Sequence, residues 1–158
     1  MINPKINALL LCVVCVPAAG TPNEQLIDLL TCSPKSNSST LQAQVKSGAI
    51  RSAGEAMVLA KPVSTDKACV KNATILGSFG TLSVLGESCG TTASPLIEAL
   101  KGTYPNEAPS LPPGVLFMGK SGRGEAIVYK GSASMPMVPS TTSSQVAYMC
   151  SIQLGGTQ

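Results

Sequence analysis

An apolar run from about Ala8 to Val16, preceded by Lys5 and followed by Pro17, Ala18, Ala19 and Gly20, opens the chain, and four cysteines are spread over the residues beyond it. One positive charge, a short apolar core and small residues at its exit are the parts of a secretory signal. The run is shorter than the roughly 20 residues that span a bilayer. Residues 1–20 therefore read as a removable signal peptide and residues 21–158 as a single exported domain, with no membrane anchor once the signal is gone. Lipid anchoring is disfavoured, because Leu11 and Val14 stand directly before Cys12 and Cys15 where a small residue would be needed. Export to an oxidising compartment, periplasmic or extracellular, makes Cys32, Cys69, Cys89 and Cys150 two disulfides. Three pairings are open, and spacing alone does not choose among them.

Charge and composition then remove whole classes of function. Without Lys5, ten of the 11 basic residues remain against eight acidic ones, and they are scattered along the chain. That balance argues against nucleic acid and against an anionic membrane surface as partners. There is no Trp, with three Tyr and two Phe, so the core is expected to rest on Leu, Val, Ile, Ala and Met. A stacking platform for sugars or bases is equally unsupported. The chain has no histidine, which eliminates Ser-His-Asp and Cys-His catalysis and His-ligated zinc. With no C-x-x-C pair after the signal, no metal or other cofactor is expected.

Two short helices are marked by their ends. One begins at Ser94 as N-cap with Pro95 behind it, carries Leu96, Ile97 and Leu100 on one face, and stops at Lys101-Gly102. The other begins near Ser38 or Ser39, sets Leu41 and Val45 four residues apart and ends before Gly48. Candidate strands are 26–31, 56–61, 69–76, 81–87, 114–119, 125–130 and 145–153, each short, rich in β-branched residues and bounded by turn residues. The fifth and sixth form a hairpin across Lys120–Gly124. These elements predict an α+β fold, a largely antiparallel sheet of five to seven short strands with two short helices on one face. An internal duplication is one reading of their order, with units of strand, cysteine, helix, strand, strand anchored at Cys32 and Cys89.

Three motifs invite chemistry and are better explained otherwise. Gly114–Ser121 satisfies the Walker A expression, but the four residues between its glycines are a strand-like apolar run and Gly122-Arg123-Gly124 stand where a helix should start. Ser64-Thr65-Asp66-Lys67 has the Ser-x-x-Lys spacing of penicillin-recognising enzymes, yet lies between two candidate strands and reads as a turn. Glu87, beside Ser88 and Cys89, is the one acid near a site-like loop, and a solvated surface position accounts for it. Asn37 and Asn72 open N-x-S/T sequons that matter only in a eukaryotic source. The exposed contact candidates are Lys120 and Arg123 on the hairpin turn, and Met135 and Met137 in an apolar insert within a Ser/Thr/Pro-rich loop. The expected function is a non-enzymatic exported binding or interaction protein, accessory or inhibitor-like, whose partner is another protein or envelope component. A small carboxylate-dependent hydrolase is the alternative.

Overall fold

The computed structural model describes residues 20–90 and 92–154. The expected signal peptide lies, apart from Gly20, outside these residues. Three helices, α1 (Pro22–Leu30), α2 (Ser38–Lys46) and α3 (Ser94–Lys101), accompany nine strands. The strands are β1 (Ile50–Ala53), β2 (Ala56–Leu59), β3 (Val63–Ser64), β4 (Cys69–Ser78), β5 (Thr81–Ser88), β6 (Asn106–Glu107), β7 (Val115–Ser121), β8 (Gly124–Lys130) and β9 (Val146–Gln153). Mixed architecture and antiparallel pairing agree with the sequence reading; the described residues hold more strands and one more helix than expected.

The added helix replaces the strand expected over 26–31. Thr21-Pro22-Asn23-Glu24 is a capping box: the Thr21 N–H donates to Glu24 Oε2 at 2.8 Å and the Glu24 N–H to Thr21 Oγ1 at 3.3 Å. Pro22 contributes a preset φ at the first turn. The buried set Leu26, Ile27, Leu29 and Leu30 recurs at helical spacing, which a run of Leu and Ile disguised as a strand. Because a helix stands where the first duplicated unit required a strand, the two halves do not begin alike.

α2 is capped by Asn37, whose side chain accepts from the Thr40 N–H at 2.9 Å. Its buried side chain is Gln44, donating to the Pro22 carbonyl, while Val45, expected on the packed face, is exposed. In α3, Ser94 is already helical; the N-cap is Ala93, which offers no side-chain cap.

The sheet runs β1-β2-β4-β5-β9-β8-β7-β6, with β3 on β4, and every pairing is antiparallel. α2 precedes β1, β2, β4 and β5, while α3 precedes β6 to β9. The second set occupies the sheet in the reverse order of the first, so β5 and β9 meet at its centre. Side chains alternate between faces. Ile75, Leu82, Val84, Phe117, Ala126, Val128, Tyr148 and Ile152 point to the face that packs the three helices.

Cys32–Cys150 ties the end of α1 to central β9, with Cα atoms 6.0 Å apart. Cys69–Cys89 closes the open end of the β4–β5 hairpin at 5.3 Å. The buried core is mostly Leu, Ile, Val and Ala, as expected, but among the described residues no Met is fully buried, and the largest fully buried side chains are Tyr104, Tyr129, Tyr148 and Phe117. Each phenol finds a backbone acceptor: Tyr104 donates to Ser151 O, Tyr148 to Leu30 O, both at 2.8 Å, and Tyr129 to Ser132 O at 3.1 Å. Burial raises the pKa of Tyr104 and Tyr148 above the ordinary 10.0; Tyr129 is raised by burial and, secondarily, by Glu87.

Candidate functional site

The helices cover one face of the sheet, and the opposite face carries apolar side chains of its own. Strand register places Leu85 beside Met149, Met149 beside Ile127, and Ile127 beside Met118, a row of half-buried apolar side chains across β5, β9, β8 and β7. Outward apolar residues arise because these strands carry large hydrophobes at successive positions, as in Phe117-Met118 and Ile127-Val128, rather than strict polar alternation. A second small cluster, Val115, Tyr129 and Ala147 with Met118, Ile127, Ala133 and Met137 against it, forms the next row along the same strands.

The loop 131–145 lies over that cluster. The Gly131 N–H donates to Gln145 O at 2.9 Å and the Ser140 N–H to Lys130 O at 2.8 Å. Glu87 supplies the central pin: its Oε1 accepts from the Ala133 N–H at 3.0 Å and its Oε2 from Asn72 Nδ2 at 2.9 Å. The solvated surface role expected for Glu87 is thereby corrected, since it is buried at 7% exposure. Asn72 sits at φ 49° in a bulge of β4, which turns its amide toward that carboxylate.

Beside the pinned loop opens a cleft of about 560 Å³. Met118, Ile127 and Met149 line it together with Met137 of the loop and Ala108 and Pro109 beyond β6. Lys120, Glu125, Asn106 and Glu107 supply its polar lining. The charges neutralise one another: Lys120 Nζ lies 3.8 Å from Glu125 Oε2, and Lys101 Nζ 3.3 Å from Glu107 Oε1. Glu107 and Glu125 are 52% and 57% exposed, far from the buried setting that poises a catalytic acid.

Two of the four contact residues expected from sequence, Lys120 and Met137, line this cleft together. Met135 projects from the same loop, 68% exposed, and does not line it. Arg123 is engaged on its turn, Nη2 donating to Gln153 O at 2.7 Å. Met118, Ile127 and Met149 were not singled out in the sequence, where their signal is only an apolar residue on the outward step of a strand. The Walker-like segment is strand β7, and Gly119 is glycine for packing: a Cβ there would meet Tyr104 O and Phe117 Cζ at 2.5 Å. Ser64 ends β3, and the Thr65 N–H donates to Ala68 O across a tight turn, which leaves no Ser-Lys helix.

A second cavity of about 490 Å³ beside α1 is lined by mixed charges, with Lys67 3.8 Å from Asp28. Among the described residues no group of three or more His, Cys, Asp or Glu could hold a metal ion, and no helix is long and apolar enough to cross a membrane. Fold and site together define a disulfide-bonded two-layer α+β domain with an apolar cleft on the helix-free face of its sheet. The chain matches no protein-family model, no curated protein and no solved structure.

Proposed function

We propose that this chain is an exported, non-enzymatic binding or interaction domain, accessory or inhibitor-like, acting in a periplasm or outside the cell. Its contact surface is the Met118–Ile127–Met149 cleft, and its partner is a protein or envelope component that presents an apolar group. The observation that carries the reading is the pairing of an apolar floor with a self-neutralised rim. Methionine side chains adapt to differently shaped apolar groups, and a rim whose charges are already paired favours an uncharged one. The carboxylate-hydrolase alternative draws no support from Glu107 and Glu125, which are exposed and paired to lysines.

Affinity capture with the disulfide-bonded protein from its native envelope or culture fluid tests this reading, run in parallel with Met149→Lys. A partner retained by the wild type and lost by the variant is expected. Equal recovery by both, or none at physiological salt, overturns it.

A further inference from the structure

Four of the five aromatic residues are buried, and the fifth, Phe79, is fully exposed. It occupies the two-residue turn between β4 and β5 at φ 47°, with Gly80 after it at φ 76°. Such a turn favours Asn or Gly at both positions, and a bulky residue in the left-handed region is an outlier. Local preference therefore does not account for the phenyl group. The tip from Gly77 to Thr81 carries no charge. Leu76, exposed on the same hairpin, pairs with Ser83, Ser83 with Ser151, Ser151 with Glu125 and Glu125 with Lys120. One outward row thus leads from the hairpin end to the rim of the cleft, so the hairpin that carries the aromatic tip borders the sheet face that holds the apolar socket.

We infer that two copies of this chain associate through their helix-free faces, the Phe79 tip of each seated in the Met118–Ile127–Met149 cleft of the other. The inference rests on the cleft being a contact surface and names a second copy as its occupant. Sulfur–aromatic contact suits a phenyl ring to a floor with two methionines and a third on its wall, and an uncharged tip suits a rim whose charges are paired. A knob at the border of the face that holds the socket allows a reciprocal two-fold contact that closes on itself instead of growing into a fibre.

Sedimentation velocity on the disulfide-bonded protein, from micromolar to submillimolar concentration, tests it. The wild type is expected to form a dimer. Phe79→Asn, which suits the turn better, should weaken that dimer about tenfold or more without lowering thermal stability. Met149→Lys should weaken it from the socket side, and a mixture of the two variants, which restores one of the two contacts, should associate more tightly than either alone. A wild type that stays monomeric throughout, or a dimer that Phe79→Asn leaves unchanged, overturns the inference. A parallel titration with anilinonaphthalene sulfonate separates the two readings. Monomeric Phe79→Asn that binds the dye, with binding lost in a Phe79→Asn/Met149→Lys double variant, keeps the cleft as an apolar contact site even where self-association fails. Absence of dye binding overturns both.

Discussion

Glu87 links two segments that are distant in sequence, accepting from Asn72 on β4 and from Ala133 in the loop that bounds the cleft. Glu87→Ala leaves the Ala133 N–H without its acceptor and is expected to destabilise the protein by about 1–3 kcal/mol. Hydrogen exchange should rise across 131–144, and urea titration measures the loss. Glu87→Gln retains an acceptor while removing the charge that raises Tyr129, so that phenol should titrate at lower pH than in the wild type, read by ultraviolet absorbance. Gly119→Ala drives a methyl into Tyr104 and Phe117 and is expected to lower stability by about 1–3 kcal/mol in the same denaturation assay. The need for glycine there was not legible from sequence, where Gly119 reads as the second glycine of a phosphate-loop pattern. The crowding that demands it comes from the packed ring of Phe117 on the same strand and from Tyr104, which lies just ahead of β6 where that strand pairs with β7.

At the level of elements, the turn residues and helix ends were largely readable and the burial of short apolar runs was not. The β7–β8 hairpin and α3 arise from Gly122-Arg123 and from Ser94-Pro95 with Leu96 and Leu100. α1 was written in its capping box, yet its dense Leu and Ile satisfied strand and helix patterns alike. β3 and β6 are too short to announce themselves, β1 (Ile-Arg-Ser-Ala) lacks an apolar signal, and each is paired with a neighbouring strand that supplies its hydrogen bonds. Thr21→Ala, which removes the cap of α1, is expected to cost about 1 kcal/mol by urea titration. Both cysteines of Cys32–Cys150 are wholly buried, whereas both of Cys69–Cys89 are partly exposed. Graded reduction, then alkylation and mass spectrometry, should therefore open Cys69–Cys89 first. In a loop-closure model, losing the 118-residue link destabilises the chain by about 1.5 kcal/mol more than losing the 20-residue one.

For the whole molecule, three buried phenols set the response to alkali. Their pKa values are raised in the folded state, so their contribution to stability is complete below the unfolded-state value of about 10 and is lost as pH rises beyond it. Urea midpoints should hold at neutral pH and fall above about pH 10; a midpoint that stays flat through that range would contradict the burial of Tyr104 and Tyr148.

Residue order alone was enough to read the mixed α and β class, the antiparallel hairpins and the choice of Cys32, Cys69, Cys89 and Cys150 as disulfide partners, because turn chemistry, periodicity and thiol count are local properties. It also brought Lys120 and Met137 forward as contact candidates. Tertiary structure decided the pairing of the cysteines, the reversed second half of the sheet and the burial of Glu87. It also decided the meeting of Met118, Ile127, Met137 and Met149 in one cleft. Each of these depends on which strand lies beside which, and that choice is made by the collective burial of both sheet faces and not by any segment taken by itself.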